Sequence, residues 1–191
     1  MSKQTYFGST KAVLGALMLI GFTATGARAQ DVPAVGQPLS GTFETTSVDT
    51  NADGIRAFRQ SLRVIDEVAG DSTIEGITEF SQGVRATCPS GNRGTRLTLL
   101  ATPTAPAALV QRFDNTGDLL TMTVTSASAC QDLTLGKVFL EAAGNIVGGT
   151  GALTGATGTF RVTGEGSLLF LTINDLFGAQ LGTLEQTIVL P

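Results

Sequence analysis

The segment Asp49-Thr50-Asn51-Ala52-Asp53-Gly54 places oxygen-bearing side chains at alternate positions ahead of a glycine. Loops wrap a hard cation with this spacing, because the glycine permits the sharp turn that brings the next carbonyl inward. Asp49, Asn51 and Asp53 would supply side-chain oxygens and Ile55 a backbone carbonyl at the seventh position. An EF-hand needs a bidentate Glu at the twelfth position, where Gln60 stands, and it needs flanking helices, whereas 39–48 reads as a strand. Two readings stay open. One is a calcium turn of the looser kind found in extracellular β-proteins, completed by Asp71 or Glu44; the other is a metal-free Asx turn between strands.

The remaining chemistry is bounded by what is missing. The chain of 191 residues has no His and no Trp, and its one Tyr is Tyr6. Ser-His-Asp and Cys-His hydrolases therefore lose their base, and zinc sites lose their usual nitrogen ligand. Cys88 and Cys130 are the only cysteines. Without a neighbouring imidazole they read as a structural disulfide rather than a catalytic pair. Paired carboxylates would suit glycoside hydrolysis, and Asp66-Glu67 or Glu75 with Glu79 are nominal pairs. Strand residues four apart are about 13 Å apart along the chain, so these read as solvated charges. No site residue for an enzyme emerges.

The N-terminus carries an export signal. Lys3 and Lys11 precede an uncharged, mostly apolar run from Ala12 to Ala24, and Ala27-Arg28-Ala29 has the small-x-small pattern of a signal-peptidase site. The run is too short for a membrane helix, which needs about 20 apolar residues. The expected division is a signal peptide over 1–29 and one domain over 30–191, whose first residues, 30–38, form a flexible segment. Cleavage removes Lys3, Lys11 and Arg28 but no acid, leaving nine of the twelve cations against all sixteen acids, a net charge of −7. Such a domain is a poor match to nucleic acid or to an anionic membrane. The expected location is secreted or periplasmic, with no membrane insertion after cleavage.

These residues must be positioned by strands. Leu120, Met122 and Val124 alternate with Thr121, Thr123 and Thr125, as Phe160 and Val162 do with Arg161 and Thr163. Further strand candidates lie near 39–48, 55–66, 73–80, 83–88, 95–101, 107–113, 133–147, 167–173 and 181–190, most bounded by Gly, Asn, Asp or Pro. Apolar spacing over 57–68 also fits a short helix. A transmembrane barrel would need aromatic girdles that this chain lacks. The pattern predicts an all-β, antiparallel sandwich or soluble barrel, with Phe113, Leu120, Met122, Val124, Phe139 and Phe160 as interior candidates.

Gly144 to Phe160 (GNIVGGTGALTGATGTF) is the most distinctive segment. It lacks the Lys-Ser/Thr of a phosphate-binding loop and any βαβ context. Ile146-Val147-Gly148-Gly149-Thr150-Gly151 followed by Gly155-Ala156-Thr157-Gly158 resembles the I-x-G-G-T-G-x-F-x-G-A-x-G signature of dirigent proteins and allene oxide cyclases, with Leu153 in place of the usual Phe. The resemblance implies an eight-stranded closed antiparallel barrel and gives Gly148, Gly149, Gly151, Gly155 and Gly158 a role in the fold. It also implies that Gly164-Glu165-Gly166 forms the next hairpin. Plant members steer radical coupling or cyclise an epoxide inside the barrel, but their functional positions do not map onto this chain. The expected function is a non-catalytic exported barrel that binds a small apolar ligand or serves a structural or interaction role. An isomerase or stereoselectivity-directing protein of dirigent or cyclase type is the alternative.

Overall fold

The computed structural model describes residues 36–67, 70–172 and 175–191. The expected signal peptide over 1–29 lies outside the described residues. Ten strands occur in chain order: β1 (Gln37–Thr45), β2 (Phe58–Val64), β3 (Ser72–Thr78), β4 (Val84–Thr87), β5 (Arg93–Thr98), β6 (Ala107–Phe113), β7 (Leu119–Asp132), β8 (Lys137–Gly149), β9 (Thr157–Leu171) and β10 (Leu176–Val189). One turn of 3-10 helix, Gly151–Leu153, separates β8 from β9. Of the expected flexible segment 30–38, residues 30–35 lie outside the described residues, whereas Gln37 and Pro38 belong to β1 and pair with Leu184 and Thr183 of β10.

Eight strands close on themselves in the order β7-β6-β3-β2-β1-β10-β9-β8, and β8 pairs back onto β7. Every pairing is antiparallel. Closure removes the unpaired edges that an open sheet would expose. The long strand β7 serves two neighbours on one side. Its first half pairs with β6, from Leu119↔Arg112 to Thr123↔Ala108, and its second half with β5, from Ser128↔Thr98 to Gln131↔Thr95. A register shift near Thr125 separates the halves, and such a bulge bends a strand and re-aims its side chains. Strand β4 pairs only with β5, so the β4–β5 hairpin forms an extension of the wall.

Alternation gives the wall its two faces. Leu120, Met122 and Val124 are buried, whereas Thr121 and Thr123 are exposed. The same period makes 58–64 a strand, not a helix: Phe58, Gln60, Leu62 and Val64 point inward, and Arg59 and Arg63 outward. Phe160 is interior as expected, and Phe113 packs half-buried against the core. Phe139 departs from expectation. Its neighbours Val138 and Leu140 take the inward positions, leaving Phe139 half-buried among Pro89, Arg96 and Cys130 on the outer face.

Gly164-Glu165-Gly166 also departs from expectation, since β9 passes straight through it, paired with β10 on one side and β8 on the other. These glycines make room rather than a turn. A Cβ at Gly166 or Gly178 would overlap the ring of Phe43, which lies across both.

The interior divides into two clusters. At one end, which we call the floor, Leu39, Leu62, Ile74, Leu120, Met122, Phe160 and Leu184 pack together. Each such side chain contributes roughly 1.5–3 kcal/mol by leaving water. At the other end, the mouth, Phe43, Phe58, Phe80, Leu97, Leu140 and Leu176 form a second cluster. The glycine-rich segment seals the floor: Leu153 and fully buried Ala156 pack onto the first cluster. Gly151 and Gly155 take φ of +55° and +77°, where side-chain-bearing residues are strained.

Candidate functional site at the barrel mouth

Four connections frame the mouth: the 46–57 loop, the β4–β5 hairpin, the β7–β8 turn and the tip of the β9–β10 hairpin. Cys88 and Cys130 are bonded, with Cα atoms 5.6 Å apart, and tie the β4–β5 hairpin to β7. The Asp132 carboxylate, beside this bridge, adds a second latch. It accepts hydrogen bonds from Ser90 Oγ (2.6 Å), Asn92 Nδ2 (3.0 Å) and the backbone N–H groups of Thr134 (3.0 Å) and Leu135 (3.1 Å). The Ser90 bond, aided by Asn92 and the two N–H groups, holds this carboxyl below its ordinary value of 3.8 against the opposing effect of desolvation.

Inside the mouth the remaining space is small. Phe43, Phe58, Phe80 and Leu176 leave a cavity of about 20 Å3, bordered by the amides of Gln60, Gln131 and Gln180. That is room for about one water. No titratable side chain lines it. Gln180 is buried, and its Nε2 has no hydrogen-bond partner. An unsatisfied buried amide costs about 1–3 kcal/mol. Two floor glutamines are linked instead: Gln186 Nε2 donates to Gln111 Oε1 (2.6 Å), and Gln111 Nε2 donates to Ser72 Oγ (2.8 Å).

Two open grooves meet this cavity at Gln131. One, of about 240 Å3, runs over Ile55, Phe58, Leu97, Leu171 and Leu176, with the Arg56–Asp175 ion pair (3.2 Å) on its border. The other, of about 550 Å3, lies against Arg85, Thr87, Arg93, Thr95 and Leu133. Exposed Leu169, Phe170 and Leu171 give the neighbouring β9–β10 tip an apolar surface.

The candidate cation loop also lies at the mouth. Asp49 Oδ2 accepts from the Gly54 N–H (3.1 Å), Asn51 Oδ1 from the Asp53 N–H (3.2 Å), and Asp53 Oδ1 from the Ile55 N–H (2.8 Å). These bonds close Asx turns, and Ala52 and Gly54 take positive φ to complete the bend. Neither residue expected to complete the set is brought to it. Asp71 is at the floor end, paired with Arg63 (2.5 Å), and Glu44 is exposed on β1, a strand whose inward neighbour is Phe43. Gln60, at the twelfth position, points into the barrel. The fold instead brings Glu79 to the loop: its buried carboxylate accepts from the Thr50 N–H (2.6 Å) and Thr50 Oγ1 (3.0 Å). Among the described residues no three His, Cys, Asp or Glu side chains cluster as a metal site. Glu75 lies exposed near Arg59, so Glu75 and Glu79 are used apart.

No protein-family model matches the chain, and no curated protein matches it. Among solved structures it aligns with a pterocarpan synthase dirigent protein at 13% identity, over 96% of this chain and 99% of that one, with a TM-score of 0.20. At that score the likeness carries no argument; the closed eight-stranded barrel stands on its own strand pairing. Among the described residues no helix is long and apolar enough to cross a membrane.

Gln180 and Gln131 escaped the sequence reading, although a signal for Gln180 existed. Leu176, Gln180, Leu184 and Gln186 share one parity on β10, so an inward strand face carries two amides.

Proposed function

We propose that this is an exported, non-catalytic barrel protein whose interior is a scaffold and whose mouth binds a small, largely apolar ligand. The observation that carries the reading is the contrast in space at one end of the molecule. The cavity among the rings is about 20 Å3 and bordered by uncharged groups, while the grooves outside it hold about 240 and 550 Å3 beside exposed apolar side chains. Ligand sites are concave and mostly apolar, with a few placed polar groups, and the grooves at Gln131 fit that description. An isomerase of dirigent or cyclase type acting inside the barrel would need a proton donor, acceptor or charge against its substrate. The cavity among the rings has amides as its polar side chains. Export is supported by the N-terminal pattern and by the disulfide, which belongs to oxidising compartments.

The absence of tryptophan permits a clean test. A Leu133→Trp variant places one indole in the larger groove at an exposed position. Titration with decanol, a neutral apolar probe, should shift its emission to the blue and saturate. No saturable change would remove the binding role. Nuclear Overhauser contacts from decanol to the buried Met122 methyl would place the ligand inside the barrel and overturn the mouth as the site.

A further inference from the structure

The β4–β5 hairpin is cationic within an acidic protein. From Gly83 to Thr98 it carries Arg85, Arg93 and Arg96 and no acid. Register decides what two of these arginines face. Arg85 lies opposite Thr95, and Thr87 opposite Arg93. Directly opposed residues, and residues two apart along a strand, share one face of a sheet, so all four side chains stand together. Thr95 in turn lies opposite Gln131 of β7, and one step further along the same face Leu97 lies opposite Ala129. Leu97 and Ala129 are buried in the mouth cluster. The face bearing Arg85 and Arg93 is therefore the inward wall of the barrel, continued past its rim. The disulfide occupies the opposite face, where a Cβ on Gly94 would strike Cys88 Sγ.

These two arginines are also unpaired. Arg56, Arg59, Arg63 and Lys137 each have a carboxylate partner, but among the described residues neither Arg85 nor Arg93 has one. The nearest acid in sequence, Glu79, is buried and engaged by Thr50, and Asp132, beside the disulfide, is buried and engaged by Ser90, Asn92 and two backbone N–H groups. Diagonal cross-strand neighbours are about 7–8 Å apart, so two like charges share one groove without a counter-ion from the fold. Around them, the hydroxyls of Thr87 and Thr95 and the amide of Gln131 can all donate hydrogen bonds. Beyond Gln131 the groove turns apolar at Phe58, Leu97 and Leu176.

We propose that Arg85 and Arg93 form the anion subsite of the mouth, and that the ligand is a small amphipathic carboxylate. Its carboxylate rests on the two guanidinium groups, which match it as a planar fork, and its apolar part lies over Phe58 and Leu176. This inference rests on the reading of the mouth as the binding surface and names the chemical class of its ligand.

The test compares decanoate, decanol and inorganic phosphate on the full secreted protein, read by amide chemical shifts and by the Leu133→Trp emission. Decanoate should bind at least about tenfold more tightly than decanol, the discrimination expected of one charge-assisted contact. It should move the amides of 85–95 and 131. Raising salt from 50 to 500 mM should weaken decanoate and leave decanol unchanged. An Arg85→Gln/Arg93→Gln variant should lose the tenfold preference while its disulfide and decanol affinity persist. Arg161→Gln, on the outer face of β9, should lose nothing. Equal binding of decanoate and decanol, or an unaltered preference in the double variant, overturns the anion subsite and leaves the mouth reading standing. Failure of both probes to bind overturns both. Phosphate binding that competes with decanoate would support the subsite; shifts from phosphate alone, with no decanoate competition, would reassign it to an anion without an apolar tail and overturn the proposal.

Discussion

The two ends of this barrel use the same residue types to opposite effect. At the floor, Gln186, Gln111 and Ser72 form a hydrogen-bonded chain inside an aliphatic core, and a glycine-rich segment seals the end. At the mouth, Gln60 and Gln180 border a cavity that aromatic rings leave unfilled, and Gln180 Nε2 has no partner. In the floor core the Gln111 and Gln186 amides are linked to one another, and among the described residues there only Gln37 Oε1, where β1 begins, is buried without a partner. The mouth keeps an unsatisfied donor, two arginines without carboxylate partners in one groove, and the contiguous exposed Leu169, Phe170 and Leu171 on a rim held by a disulfide. Buried polar groups without partners and exposed apolar patches are the features that folding alone does not reward. The difference is what supports the proposed binding role at the mouth, with the floor serving stability.

The largest effect should come from cutting the mouth's covalent latch. Cys88 and Cys130 close a loop of 42 residues, so Cys88→Ala/Cys130→Ala should cost about 4 kcal/mol in the loop-entropy account. For a domain of this size that lowers Tm by roughly 8–16 °C. Hydrogen exchange should show the loss in β4 and β5 ahead of β10. Loosening that begins at the floor would break the proposed division of labour.

A smaller effect belongs to the polar latch. Asp132 is held below its ordinary value of 3.8, so its contribution is complete at neutral pH and fades as pH falls from about 4 through the depressed value. Denaturation midpoints measured from pH 7 to pH 2 should fall more steeply for the native protein than for Asp132→Asn. Parallel curves would remove this carboxylate from the mouth's stability.

The smallest effect is expected at the 49–55 loop. Its carboxylates already close turns on their own backbone, so replacing a chelator by millimolar calcium should move Tm by no more than about a degree. A saturable rise of several degrees would instead make the loop a cation site and the mouth a metal-dependent one.

Much of the barrel was legible in the residues, because alternation survives any register. Leu120, Met122 and Val124 against Thr121, Thr123 and Thr125 define an inward and an outward face wherever β7 sits. Gly144 to Phe160 pointed to closure, and in the structure this segment does seal the floor. Three features depended on register or packing and were hidden. Gly164 to Gly166 resembled a turn because the sequence does not show that the ring of Phe43 must cross that strand. Phe139 looked interior because of its size, yet Val138, Leu140 and Ile146 share the opposite parity on β8 and take the inward face. Arg85 and Arg93 became a pair only once Arg93 was set opposite Thr87. The calcium-like loop was the reverse case: its spacing was plain, yet the residues expected to complete it lie at the floor end or on the exposed face of β1.

The claim that the mouth leaves the Gln180 amide unsatisfied while the Gln186–Gln111–Ser72 chain of the floor is complete is tested most directly by two matched substitutions. Gln186→Leu leaves Gln111 Oε1 without its donor and should destabilise the protein by about 1–3 kcal/mol, whereas Gln180→Leu removes an orphaned amide and should be neutral or stabilise by up to about 1 kcal/mol. Urea denaturation of both variants beside the native chain measures the contrast. Opposite or clearly unequal shifts in midpoint are the expected result; equal destabilisation by the two substitutions would show that both ends are satisfied alike and would contradict the account.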